Sequence, residues 1–253
     1  MNLTGQHAVV TGGGTGIGLS IALGLAGLGM EVSITGRDEA RLKGLADDHP
    51  HLHALPMDVT NEAAVREGFQ GAAERRGPVC VCVANAGIAE PARFHHETLD
   101  HWRKTMATNL DGAFLTFQAA MATLERDAWG RMIAISSIAG LRGLSGAVSY
   151  TASKHGVIGL MRGLSEEYMG SAMTFNAICP GYVDTPIVER NAVQIAASQG
   201  MTEDEARALL ARGNRHKRLL ACDEVTATAL WLVSDAARSV NGQAIQISGG
   251  QVS

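Results

Sequence analysis

Aromatic residues are scarce in this 253-residue chain: five Phe, three Trp and three Tyr make up 4%. Charged residues are also few, at 18%, and leave a net charge of -4. That composition provides no basic field for a phosphate backbone, which argues against a dedicated nucleic-acid binder. The four cysteines, Cys80, Cys82, Cys179 and Cys222, form no Cys-x-x-Cys pair. Neither a disulfide framework nor a redox motif is expected, and the reading is a reduced, cytoplasmic chain. The first residues lack the basic-then-apolar pattern of a signal peptide, so none is expected. Long hydrophobic runs are missing too. The longest weakly polar run, 17–30, is broken by glycines and a serine and is shorter than the ~20 residues that cross a bilayer.

What the chain does hold is apolar material, 46% by residue, and 30 glycines without a collagen period. The first suffices for a packed core, and the second implies turns and close backbone approaches. Short β-branched runs alternate with longer amphipathic stretches. Strands are predicted at 7–11, 31–35, 52–57, 79–84, 131–136, 173–179 and 244–247. Helices are predicted at 16–28, 38–47, 61–76, 99–126, 150–168 and 222–234. Val79-Cys80-Val81-Cys82-Val83-Ala84 is apolar throughout, as befits a central parallel strand covered on both faces. The alternation predicts an α/β fold: a single doubly wound, Rossmann-like domain over 1–253, with a seven-stranded parallel sheet and helices on both faces. Residues 182–220 depart from the rhythm. Two short helical patterns there, 186–198 and 202–212, are expected to form a lid over a site at the strand C-termini.

The first strand runs into Thr11-Gly12-Gly13-Gly14-Thr15-Gly16-Ile17-Gly18, spaced GxxxGxG. Gly12 permits a tight exit from the strand. Gly16 lets the backbone approach a pyrophosphate at the helix N-terminus, and Gly18 is expected to allow close helix–sheet packing. A glycine-rich turn without a ligand is the plain alternative, weakened by its place in a βαβ unit. The residue after the second strand selects the dinucleotide. Gly36-Arg37 sets a guanidinium where a carboxylate would hold the ribose hydroxyls of NAD. NADP(H) is therefore the expected preference, with NAD(H) as the other option. The alternative is an Arg37 that only faces solvent.

Tyr150-Thr151-Ala152-Ser153-Lys154 places a phenol and an ammonium four residues apart on one helix face. Such a pair arises by chance in roughly one comparable sequence in twenty, so it needs company. Ser136-Ser137 ends the fifth predicted strand. An ordinary tyrosine titrates near ~10, too high for a base at neutral pH. A nearby ammonium favours phenolate and is expected to lower that value. The phenol can then exchange a proton with a carbonyl or alcohol oxygen while hydride moves to or from nicotinamide, and a serine hydroxyl can hold the same oxygen.

Thr11 to Gly18, Asn85-Ala86-Gly87, Asn109, Ser137, Tyr150 to Lys154 and Pro180-Gly181, in this order and spacing, resemble the short-form short-chain dehydrogenases/reductases over essentially the whole chain. The resemblance implies a hydride-transfer enzyme. Tyr150 would be its acid/base, and Lys154 both its electrostatic partner and the ligand of the nicotinamide ribose. Ser137 would orient the carbonyl and Asn109 would hold a water in a proton relay. The phosphate loop would use Gly12, Thr15, Gly16, Ile17 and Gly18. Arg37, Asp58 and Val59 would surround the adenine end, Asn85, Ala86 and Gly87 the middle, and Pro180, Gly181, Val183 and Thr185 the nicotinamide end. A homotetramer built on helices 99–126 and 150–168 is also implied. Ala84 departs from the pattern, since many relatives carry a second Asn there.

Substrate walls are expected at Ile88, Ile138, Leu141, Leu144, Tyr182 and Val183, with Ile187 and Met201 from the lid. Hydroxybutyrate dehydrogenases look similar around 154–157 and 176–181. Their carboxylate clamp, however, would fall on Ala89, Ala139 and Ala147, which cannot pair with an anion. Reductases serving acyl carrier protein usually carry basic residues before strand five, where Glu125-Arg126-Asp127-Ala128 is mixed. The expected substrate is a neutral ketone, a secondary alcohol or a 3-oxoacyl thioester. An NAD-dependent hydroxy-acid dehydrogenase and a non-catalytic dinucleotide sensor are the alternatives, and sensors tend to lose the Tyr and Lys retained here. His49, His51 and His53 alternate without an acidic or cysteine ligand, so no metal is expected. His95, His96 and His101 are expected on the surface beside the substrate entrance. Cys80 and Cys82 should pack on opposite faces of one strand. Arg212, Arg215, His216, Lys217 and Arg218 form either a solvated face or a contact for a coenzyme A or cofactor phosphate.

Overall fold

The computed structural model describes residues 2–125 and 128–251. Its strands are β1 His7–Val10, β2 Glu31–Gly36, β3 Leu52–Pro56, β4 Val79–Ala84, β5 Gly130–Ile135, β6 Met173–Pro180 and β7 Ala244–Ile247. They form one seven-stranded sheet in the order β3-β2-β1-β4-β5-β6-β7, and every neighbouring pair is parallel. The strand order reverses between β1 and β4, which opens a crevice at the carboxyl ends of the strands. β4, β5 and β6 are buried along their whole lengths. Cys80 joins the core on one face of the sheet and Cys82 the core on the other.

Helix α1 (Gly16–Gly27) follows β1, α2 (Glu39–Asp48) follows β2, and α3 (Glu62–Arg76) follows β3. Asp38 and Asn61 start α2 and α3 by accepting the Arg41 and Ala64 amides, which would otherwise lack partners. The helix expected at 99–126 is found over 99–121, with a change of winding inside it. α4 (Leu99–Met106) passes through a π-helical turn, Ala107–Asp111, into α5 (Gly112–Met121). A π turn carries an extra residue and shifts the phase of the helix. It contains Asn109, whose side chain is 2% exposed. Arg126 and Asp127, the expected helix end and half of the mixed charge group, lie outside the described residues.

Helix α6 (Val148–Glu167) begins two residues before the expected start, and α7 (Pro186–Gln199), α8 (Glu203–Ala211) and α9 (Cys222–Val233) complete the order. Ile21 and Leu25 of α1 meet Val225 and Leu232 of α9 in one core. Phe69 of α3, Phe117 of α5 and Met161 of α6 fill the other. α7 and α8 share a small core of their own, built on Val188, Ala192, Ala196, Ala206 and Leu210.

The amino-terminal edge of the sheet carries a polar cluster. His7 is 1% exposed. Its Nδ1 donates to the Gly77 carbonyl at 2.9 Å, and its Nε2 accepts from Ser33 Oγ at 2.9 Å. Glu31 lies between His51 Nδ1 at 2.9 Å and His53 Nε2 at 2.5 Å. The expectation that these histidines lack an acidic partner is therefore corrected: parallel register brings β2 and β3 side by side and supplies Glu31 from 20 residues away. No metal-binding cluster occurs among the described residues. Burial lowers the His7 pKa to about 4. The unfolded chain, protonating near ~6.5, takes up a proton that the native protein refuses over this window. Stability present above that window is lost as the pH falls through it, by about 3 kcal/mol. Urea unfolding should show this loss in the wild type and a shallower one in His7→Gln; parallel pH profiles would refute the account.

Candidate active site

The carboxyl ends of β1, β4, β5 and β6 converge on the crevice. Gly12, with φ +63°, turns the chain out of β1 into the left-handed region that glycine tolerates. Thr11 Oγ1 accepts the Asn85 and Ala86 amides at 3.0 and 3.1 Å. Asn85 Nδ2 donates back to the carbonyls of Thr11 at 2.9 Å and Gly12 at 3.2 Å. These bonds tie the end of β4 to the glycine turn. A Cβ on Gly18 would overlap Asn85 Nδ2 and the Gly12 carbonyl. Gly18 thus makes room for the Asn85 bridge, a more specific role than the helix–sheet packing expected from the motif. A Cβ on Gly16 would meet Thr185 Cγ2 at 3.2 Å, so the turn abuts the start of α7.

At the far end of the crevice, Thr60 N and Oγ1 donate to Asp58 Oδ1 at 2.9 and 2.8 Å. Those bonds, with a smaller contribution from the Arg37 charge, hold Asp58 below the usual carboxylate range. Arg37 is exposed. Arg41 joins it as a second cation that the sequence reading missed. A Cβ on Gly14 would lie 3.5 Å from Arg41 Cδ, and Arg41 Nε is 3.5 Å from Asp38 Oδ2. The available signal was its place in the first turn of α2, four residues after Arg37.

Ser137, Tyr150 and Lys154 meet at one cavity of about 290 Å³. Ile88, Ile138, Leu144, Tyr182, Val183 and Ile187 line it as expected. Leu141 and Met201 do not. Leu141 packs into a core beneath the sheet, and Met201 into the small core of α7 and α8. Glu90, Asn191, Ile195 and Leu210 line the cavity without having been anticipated. Ile187, Asn191 and Ile195 are spaced i, i+4, i+8 on α7, which was the readable signal.

Ser137 Oγ accepts the Ala139 amide at 3.1 Å, which leaves its O–H free to donate. Lys154 is 4% exposed. Its ammonium donates to the Ile135 carbonyl at 2.8 Å and lies 5.7 Å from the centre of the Tyr150 ring. An ammonium has three N–H donors, so two remain for a group in the cavity it lines. Burial lowers the Lys154 pKa to about 8. Tyr150 keeps intermediate exposure toward the cavity, yet the atoms packed around it desolvate the phenol and push its pKa above the ordinary value. The Ser137 hydroxyl opposes that shift, while Tyr182 and Cys179 reinforce it. The expected acidification of the phenol is therefore corrected: desolvation is the largest influence on it, and it raises the pKa.

Two asparagines brace the rim. Asn109 Oδ1 accepts the Ile88 amide at 2.8 Å, and its Nδ2 donates to the Ile88 carbonyl at 3.0 Å and Ser153 Oγ at 3.1 Å. A Cβ on Gly87 would sit 3.2 Å from Asn109 Oδ1 and 3.5 Å from Lys154 Nζ. Asn214, 0% exposed, accepts the Tyr182 amide at 2.9 Å and donates to the carbonyls of Tyr182 at 2.8 Å and Arg218 at 2.7 Å. It fixes the Gly181-Tyr182 wall from within the basic segment. Nearby, Arg218 pairs with Glu224 at 2.5 Å.

The glycine turn at a helix N-terminus and the buried ammonium with unused donors fit a dinucleotide. A parallel sheet carrying these features beside Ser137 and Tyr150 defines a class, the dinucleotide-dependent oxidoreductases. The family model for short chain dehydrogenases matches residues 6–196. The chain is 32% identical over 254 residues to the D-beta-hydroxybutyrate dehydrogenase of Rhizobium meliloti, covering 97% of this chain and 98% of that one. It is 34% identical over 245 residues to the 3-oxoacyl-(acyl-carrier-protein) reductase MabA of Mycobacterium bovis, covering 97% and 92%. The crystal structure of an actinorhodin polyketide ketoreductase with NADPH matches with a TM-score of 0.93 at 30% identity, covering 97% of each chain. This chain belongs to the short-chain dehydrogenase/reductase family and is an NAD(P)-dependent oxidoreductase acting on CH–OH or C=O groups. Among the described residues, no helix is long and apolar enough to cross a membrane.

Asn214→Ala would strand the Tyr182 amide and two carbonyls without partners. It should cost about 2–4 kcal/mol and raise KM for the carbonyl substrate. Calorimetry and steady-state kinetics check this; a variant as stable as the wild type would contradict the bracing role.

Proposed function

We propose that the protein transfers hydride between NADP(H) and a neutral ketone or secondary alcohol, or a 3-oxoacyl thioester. The convergence of Ser137, Tyr150 and Lys154 on a cavity with mainly apolar walls carries this reading. When bound, the nicotinamide supplies or accepts the hydride. Ser137 Oγ–H holds the carbonyl oxygen. Tyr150 gives that oxygen a proton in reduction and removes it in oxidation. Lys154 stabilises the phenolate left behind and uses its remaining donors on the nicotinamide ribose. Asn109 takes the relay water. At neutral pH the phenol is in the protonated form that reduction requires of its acid.

In this reading Gly12, Thr15, Gly16, Ile17 and Gly18 cradle the pyrophosphate. Arg37, helped by Arg41, binds the 2′-phosphate, with Asp58 and Val59 against adenine. Asn85, Ala86 and Gly87 line the middle, and Pro180, Gly181, Val183 and Thr185 the nicotinamide end. Ile138, Leu144 and Tyr182 contact the substrate. The uncharged Ala89, Ala139 and Ala147 disfavour a small free hydroxy acid. Residues 182–220 act as a lid within a single domain, supported by the separate small core of α7 and α8. Exposed Leu99, Phe114 and Val148 on α4, α5 and α6 support a homotetramer assembled on those helices. Four unpaired cysteines suit a cytoplasmic setting.

Tyr150→Phe should lower kcat by a factor of about 10² or more while the dinucleotide Kd stays within a few-fold. Nicotinamide absorbance with a panel of ketones and fluorescence binding read the two quantities; retained turnover would move the acid role elsewhere. Arg37→Ala should lower the NADPH-to-NADH ratio of kcat/KM by about tenfold. A wild-type preference for NADH, or an unchanged ratio, would remove Arg37 from phosphate recognition.

A further inference from the structure

Glu90, on the loop after β4, lines the substrate cavity. Among the described residues that line it, Glu90 is the one carboxylate and Lys154 the one cationic side chain. The two are engaged differently. Lys154 is buried at the catalytic end and bonded to Ile135. Glu90 is gripped from α4: Lys104 Nζ donates to Oε1 at 2.7 Å and to Oε2 at 3.0 Å. His101 stands behind the pair, with Nε2 3.7 Å from Glu90 Oε2 and Nδ1 3.1 Å from Glu97 Oε1. Neither Lys104 nor His101 is part of the cavity lining. Glu90 therefore lines the cavity while its counter-ion sits outside the lining. The neighbouring lining is Ile88, Ala89, Pro91, Leu144 and Ala147, none of which can compensate an anion.

We propose that Glu90, held in place by Lys104, is a specificity-determining residue that rejects carbonyl compounds ending in a free carboxylate. The proposal rests on the carbonyl-reducing reading above and deepens it by assigning the exclusion of anions to one fixed charge. A substrate carboxylate entering the cavity meets a like charge beside apolar walls that offer it no partner, and because Glu90 is partly exposed the repulsion is modest. An ester or thioester of the same keto acid carries no charge and meets no such repulsion. A tail with a hydroxyl or N–H group can donate to the Glu90 oxygens.

The two partners of the ion pair must act in opposite directions, which a general structural role would not produce. The readout is the ratio of kcat/KM for methyl acetoacetate to that for acetoacetate, measured with the nicotinamide coenzyme in the wild type, Glu90→Gln and Lys104→Met. Removing the carboxylate should lower the ester-to-acid ratio about fivefold, and removing its counter-ion should raise it about twofold or more. Ratios unchanged in both variants, or moved in the same direction, would overturn the proposal and leave Glu90 and Lys104 as a solvated surface pair. Should the wild type reduce neither compound, the small 3-oxo ester is not a substrate, a failure of the catalytic reading as tested. The same ratio is then read as binding of the two compounds to the NADP+-loaded protein by calorimetry. The same opposite shifts are required there, and equal binding across the three proteins overturns the assignment.

Discussion

The desolvation of a phenol and an ammonium on one face of α6 is the constraint on which the rest of the site depends. α6 docks on the sheet through Val157, Ile158 and Met161, whose burial stabilises the fold and leaves no freedom in where Tyr150 and Lys154 point. Ser136 Oγ donates to the Lys154 carbonyl at 3.0 Å and pins the helix to the end of β5. The Ile135 carbonyl then meets the ammonium from the same strand. Burial works against charge in both groups, raising one pKa and lowering the other. The fold thus holds two groups that gain from a polar ligand entering the cavity, and it leaves donors unused for one.

The remaining architecture brings the crevice to that helix. Parallel strands send every carboxyl end to the same edge, and the reversal of order between β1 and β4 separates the loops there. Asn85 closes the gap by bonding the β4 end to the glycine turn, and Gly18 is obligatory because any side chain would displace that amide. On the far side, Asn214 holds Tyr182 by both backbone groups. The substrate cavity lies between two asparagine clamps and below α7. Its walls are fixed by hydrogen bonds that contain no reacting atom.

Much of this was legible in the residues. Continuous apolar runs such as 79–84 mark buried parallel strands, and glycine spacing with Tyr150 and Lys154 marks the crevice and its edge. The parts that were hidden share a physical reason. The π turn at Ala107–Asp111 changes helical phase without changing composition, so the sequence placed Asn109 in a plain helix although its motif marked it as a site residue. Glu31 reaches His51 and His53, and Asn214 reaches Tyr182, across 20 to 32 positions of chain that only the tertiary fold brings together. The direction of the Tyr150 shift was misread because a nearby cation is visible in a sequence and the depth of packing around a ring is not.

The central claim is that the fold, before any ligand enters, shifts the Tyr150 phenol upward through desolvation, the direction opposite to the one a cationic neighbour alone would impose. The direct measurement is a spectroscopic pH titration of phenolate absorbance in the ligand-free protein, taken as the difference between the wild type and Tyr150→Phe. The account predicts that the difference signal develops above the ordinary tyrosine value of 10.0. A difference transition below that value would mean that the Lys154 charge outweighs burial, and would contradict it.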